Sequence, residues 1–197
     1  MIKMYYKDLP SFTRSANYCI TIHLNMFEWS IQEKIDNYKL QLNPKFQRGY
    51  KWTEDQQIKF LEYLFKGGKV ESIKFNMPSW QNDDNVGNYD EMVCVDGLQR
   101  TTALLKFVRN EIKVFGCYYN EFDKPTHRRI RIELDINDLK TEKEVLQWYI
   151  DLNTGGTIHT NDEINKVKNM LNVLNDGESE DKKMIPPFGG TGESSCH

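Results

Sequence analysis

Residues Glu91–Val108, EMVCVDGLQRTTALLKFV, constrain the fold more than any other stretch of this chain. Five residues, Glu91–Val95, read as a short buried strand, Asp96-Gly97 as a tight turn, and Leu98–Val108 as a helix whose apolar residues recur at helical spacing. A strand feeding directly into a helix sets free backbone N–H groups and a partial positive charge at the junction, an arrangement that favours an anion such as phosphate. Asp96, Gln99 and Arg100 add a metal or water ligand, a hydrogen-bonding amide and a guanidinium fork at the same point. Two structural readings stand beside this one: Asp96 as a helix cap, and Arg100 as a surface partner of a neighbouring acid.

A second concentration of chemistry lies at Asn43–Trp52. Pro44 and Gly49 mark an ordered loop, and Lys45, Gln47, Arg48, Tyr50, Lys51 and Trp52 crowd into it. Basic groups interleaved with aromatics suit a phosphate and a stacked base. The alternative is that Phe46, Tyr50 and Trp52 anchor the loop in the core while its charges face water. A third segment, Asn153-Thr154-Gly155-Gly156-Thr157, is a glycine-rich turn, either a helix stop or a place where backbone approaches a ligand.

The elements between these segments follow from periodicity and caps. Helices are expected at Phe27–Tyr38 (Ser30 and Glu33 as capping box), Thr53–Lys66 (Thr53 and Gln56), Thr141–Leu152 (Thr141 and Glu144) and Thr160–Leu174 (Thr160 and Glu163). Strands are expected at Lys39–Leu42, Val70–Phe75, Glu111–Tyr118 and Ile130–Ile136, with an edge strand within Met1–Leu24. Pro78–Asn88 is polar and reads as a surface loop, and His127-Arg128-Arg129 is a small basic cluster. Asn175–His197, rich in Gly, Ser, Glu, Asp and Pro, is expected to be a disordered tail. The domain is therefore expected to span 1–174 and the tail 175–197.

The formal net charge of -3 argues against a broadly basic nucleic-acid surface, so any DNA contact would use a local patch. No run approaches the roughly 18 apolar residues of a membrane span, and no secretory leader opens the chain. The four cysteines show no CxxC pairing or zinc-ligand spacing, and Cys94 and Cys117 read as small core residues, which together suit a cytoplasmic protein.

Three signatures stand in order: NPKFQRGYKW at 43–52, VDGLQRTTAL at 95–104 and LNTGGTIHTNDEI at 152–164. Together they resemble the N-terminal domain of GmrSD-type, modification-dependent restriction endonucleases, which carries PxFQRxYxW, DGQQR and LNxxGxxLxxxE segments and is related to the ParB and sulfiredoxin fold. The resemblance covers roughly Ile31–Leu174. It implies an α+β, ParB/sulfiredoxin-like domain with a small mixed sheet flanked by helices. It also implies binding, and hydrolysis, of a nucleoside triphosphate with Mg²⁺ in control of a nuclease activity that often resides in a separate HNH-type domain.

Carried over by position, Gln47 and Arg48 match the first motif, Asp96, Gly97, Gln99 and Arg100 the second, and Asn153, Gly155 and Gly156 the third. With these matches in place, Asp96, Gln99 and Arg100 are expected to form the catalytic set, with Asp96 also the metal ligand. Gln47, Arg48, Gly97, Thr101, Asn153, Gly155 and Gly156 would contact nucleotide, and Tyr50 or Trp52 would stack on the base. Leu98 stands where the family has a glutamine, and Thr101 where it commonly has leucine. A leucine cannot orient a water or a phosphate oxygen, so nucleotide binding with slow hydrolysis, or with none, is the expectation. No HNH pattern is present, which points to a regulatory-type domain whose partners are a nucleotide and a restriction or nuclease subunit, with DNA as a further candidate. The rival classes are a ParB-like DNA-binding module without hydrolysis, a stand-alone inhibitor mimicking a restriction subunit, and a nuclease acting through Asp96.

Overall fold

The computed structural model describes residues 18–79, 90–123, 130–154 and 161–181. In chain order the elements are β1 (Tyr18–His23), α1 (Leu24–Tyr38), α2 (Glu54–Phe65), β2 (Ile73–Asn76), β3 (Val93–Asp96), α3 (Leu98–Val108), β4 (Arg131–Asn137), α4 (Glu142–Thr154) and α5 (Asn161–Asp181). The four strands form one mixed sheet in the order β1-β4-β2-β3. β1 pairs antiparallel with β4, β4 runs parallel to β2, and β2 pairs antiparallel with β3. The expected mixed sheet with flanking helices is present.

Alternation along β3 decides how the helices are shared between the two faces. Met92 and Cys94 enter a core with Phe27, Ile31, Leu61, Phe75, Leu104 and Phe107, which joins α1, α2 and α3 to one face. Val93 and Val95 enter a second core with Phe46, Val145, Leu146, Trp148 and Val167, which joins α4 and α5 to the other. Burying each such side chain stabilises by about 1.5–3 kcal/mol, so β3 and its neighbours are held rigidly from both sides. The candidate site lies at the C-terminal end of this doubly covered strand.

Several expected boundaries move, each for an identifiable reason. α1 begins at Leu24, so Ser30 does not cap it: Ser30 is buried within the helix and accepts from Lys34 Nζ at 3.0 Å. The capping boxes at Thr53/Gln56 and Thr141/Glu144 are both formed. Lys39–Leu42 contributes a single bridge, Gln41 to Val93, and covers the outer edge of β3. β2 starts at Ile73 rather than Val70. Glu111–Tyr118 is not a strand. Val114 and Cys117 instead close a two-residue turn whose central residues, Phe115 (φ 52°) and Gly116 (φ 79°), are both left-handed.

α5 continues to Asp181, past the point where a tail was expected to start. Propagating an existing helix adds a hydrogen bond per residue without a new nucleus, so polar residues can extend it. Of the expected Pro78–Asn88 loop only Pro78 and Ser79 are described, and the expectations for His127-Arg128-Arg129, for Gly155-Gly156, for the Thr160 cap and for 182–197 lie outside the described residues.

Candidate functional site

The turn from β3 into α3 depends on Gly97. Its φ is +110°, and a Cβ there would sit 3.0 Å from Ile73 Cγ2 and 3.2 Å from Ile73 Cα, so a side chain would be strained by the backbone conformation and crowded against Ile73. The first helical hydrogen bond runs from Thr101 N–H to the Gly97 carbonyl at 2.8 Å. The N–H groups of Leu98, Gln99 and Arg100 therefore have no acceptor within the helix. No side chain caps this end. Asp96, the alternative cap, pairs instead with Arg100, Oδ2 to Nη2 at 2.8 Å.

The loop at 43–52 is pinned against this turn. Gln99 does most of the pinning: its Oε1 accepts from the backbone N–H groups of Lys51 (2.9 Å) and Trp52 (3.0 Å), and its Nε2 donates to the Gly49 carbonyl at 2.9 Å. Both lone pairs of its carbonyl are thereby used in positioning the loop. Gln47 braces the loop from its other end, donating to the Cys94 carbonyl within β3. Phe46 is buried and meets Tyr149 of α4 edge-on at 5.3 Å, while Trp52 packs on Phe60 at 5.3 Å.

These contacts enclose a cleft of about 590 Å³. Its walls bring together Gln47, Arg48, Gly49 and Trp52 from the loop, Asp96–Arg100 from the turn, Glu71 and Lys74 from around β2, and Tyr149, Asp151, Leu152 and Asn153 from the end of α4. All three signature segments thus reach one cavity; Asn153 represents the third, held by its Nδ2 donating to the Tyr149 carbonyl at 2.6 Å. Two expected contacts fall elsewhere. Thr101 is completely buried behind the helix start and does not line the cleft. Tyr50 is also outside the lining, beside Lys106, whose Nζ lies 5.8 Å from its ring centroid.

Glu71, Lys74, Tyr149 and Asp151 belong to the cleft, although no motif drew attention to them. One signal was legible: Lys74 is a charge inside the apolar strand IKFN. Arg100 is mostly buried and donates to the Ser72 carbonyl at 3.2 Å, and its Nη1 lies 3.6 Å from the exposed Glu71 carboxylate. Beneath the site, burial, with Asp96 nearby as the lesser cause, pushes the Cys94 thiol up to about 12, so it is no nucleophile near neutral pH.

No group of three or more His, Cys, Asp or Glu able to hold a metal occurs among the described residues. A Mg²⁺ ion held by one carboxylate together with ligand phosphates needs no such group, and Asp96 fits that smaller requirement. The lining carries three cations, Arg48, Lys74 and Arg100, and three carboxylates, Glu71, Asp96 and Asp151, which leaves no formal excess of either sign.

Fold and cleft together define a small α/β domain with a charge-lined cavity at a strand-to-helix junction. The chain belongs to the family described as GmrSD restriction endonuclease, N-terminal domain, which matches residues 31–133. That membership links it to restriction systems. The matched span contains the loop, β2, β3 and α3, whereas the α4 wall of the cleft lies beyond it. No curated protein and no solved structure matches the chain significantly. No helix among the described residues is long and apolar enough to cross a membrane.

Proposed function

We propose that the cleft binds a nucleoside triphosphate with Mg²⁺ and that the domain acts as a nucleotide-responsive regulator of a nuclease partner in a restriction system. The observation that carries this reading is the convergence of the 47–52 loop, the Asp96–Arg100 turn and Asn153 on one cavity. Arg48 and Arg100 supply charge to phosphates and the unpaired N–H groups of the α3 start supply donors. Asp96 would hold the metal, which screens phosphate charge when bound. The balanced lining supports a metal-bound ligand, since three cations set against three carboxylates leave a bare polyphosphate uncompensated.

Asn153, Gly97 and, beyond the described residues, Gly155-Gly156 complete the contacts in this reading, and of the two aromatics expected to stack on a base, Trp52 is the one that lines the cleft. Gln47 and Gln99 hold the walls in place. Leu98 lines the cavity where the family has glutamine, so no amide there aligns a water, and hydrolysis is slow or absent. The ParB/sulfiredoxin kinship belongs to the same reading. The acids Glu71, Asp96 and Asp151 in the cleft weigh against a DNA groove at this place. Equilibrium binding of ATP, GTP, CTP and UTP with Mg²⁺, followed by phosphate release for any that binds, tests the reading; no binding by all four removes it.

A further inference from the structure

Lys74 sits on the cleft floor, on β2, between the register positions of Asp96 on β3 and Asp135 on β4. Its side chain is only 13% exposed. An ammonium has three N–H donors and loses hydration when buried, so a buried lysine needs acceptors. Here Nζ donates to Ser72 Oγ at 2.9 Å, and the nearest carboxylate, Asp135, lies at 3.9 Å. That carboxylate already accepts from the Ser72 hydroxyl. Lys74 is thus under-provided with acceptors beside a polar cavity.

Ser72 also fixes where the second cation sits. Its carbonyl accepts from Arg100 Nη2 at 3.2 Å while its hydroxyl accepts from Lys74. One residue therefore holds both cationic heads at the same wall. Arg100 Nη2 is also held by Asp96 Oδ2 at 2.8 Å, whereas its Nη1 has only the exposed Glu71 carboxylate nearby, at 3.6 Å, and so keeps donors for a ligand. Two adjacent cationic heads, both bonded to Ser72 and both with donors left over, suit an anion bearing charge at two linked centres more than a single phosphate.

We propose that Lys74 and Arg100 form a two-cation clamp and that Lys74 is the specificity-determining residue that selects ligands with at least two linked phosphoryl groups. The proposal deepens the nucleotide reading by naming the ligand's charged part and the residue that counts it. Lys74 acts by direct contact with a phosphoryl oxygen, and Ser72 is the positioning residue for both cations.

The test is calorimetric titration, with Mg²⁺, of tripolyphosphate, pyrophosphate, orthophosphate and the four nucleoside triphosphates into the wild-type chain, Lys74→Met and Lys74→Arg. Lys74→Met should weaken tripolyphosphate and pyrophosphate about tenfold or more and leave orthophosphate within about twofold, and Lys74→Arg should recover most of the loss. Lys74→Gln, which can still donate to Ser72, serves if the methionine variant fails to fold. Wild-type affinity for tripolyphosphate in Lys74→Met or Lys74→Gln overturns the clamp, as does an equal loss for orthophosphate. Lys74-dependent binding of tripolyphosphate with no binding of nucleotides would keep the clamp and remove the nucleotide reading. Nucleotide binding indifferent to Lys74 would do the reverse, and no binding of any polyphosphate removes both.

Discussion

The Gln99 side chain reaches across to the loop and accepts the backbone N–H of Trp52 at 3.0 Å. Together with its bonds to Lys51 and Gly49, this makes a motif glutamine the brace that holds one wall of the cleft against the other. A residue type expected from the resemblance to touch phosphate or water spends its carbonyl on architecture.

Gln99→Ala should therefore loosen the loop before it affects any chemistry. Three hydrogen bonds are lost, each worth about 1 kcal/mol net, so stability should fall by about 1–3 kcal/mol. Hydrogen exchange should quicken at Lys51 and Trp52 while the amides within β3 stay protected. Unchanged exchange at those two residues would show that the brace does not hold the loop.

Gly97→Ala should cost more than a helix-start substitution normally does. A positive φ and a 3.2 Å approach to the Ile73 backbone both oppose the methyl group. Strain of this kind costs about 1–3 kcal/mol, before any displacement of Ile73. Thermal unfolding measures it; a variant as stable as wild type would contradict the close packing of β2 under the turn.

Cys94 makes stability depend on alkaline pH. Its thiol is raised from an ordinary value of 9.0 to about 12 by burial. Below pH 9 both folded and unfolded chains keep the proton and the contribution is complete. Between 9 and about 12 the unfolded chain releases a proton that the native chain retains. Stability should then fall by up to about 1.4 kcal/mol per pH unit, or about 2 kcal/mol at roughly pH 10.5 relative to pH 8. Urea unfolding of wild type and Cys94→Ala in reductant should show a flatter decline in the variant. Parallel declines would mean that Cys94 ionises freely in the native state.

The strand-to-helix turn at 96–97, the α2 capping box and the alternation in β4 were legible because each is a local pattern with one good physical solution. The start of α1 was not. His23 precedes it without a side-chain cap, so the capping signal at Ser30 and Glu33 pointed inside the helix. The 111–118 segment misled because Phe115 accepts a left-handed conformation that its residue type disfavours. In the cleft, the signature residues could be read from the chain, but Lys74, Glu71 and Tyr149 could not be assigned to it. They arrive there through sheet register and through the packing of α4 on β3, which are long-range relationships; of the three, Lys74 alone carries a local mark, as a charge within the strand IKFN.

Arg100 offers the most direct test of the cleft as a polyphosphate site. The measurement is thermal unfolding of wild type and Arg100→Ala with and without ATP, GTP, CTP and UTP in Mg²⁺, with circular dichroism to establish that the variant is folded. A ligand that binds only the native state raises the unfolding temperature in proportion to its affinity. At least one triphosphate should stabilise wild type, and Arg100→Ala should lose that stabilisation while remaining folded. Equal stabilisation of both chains, or none of wild type by any triphosphate, would contradict the account.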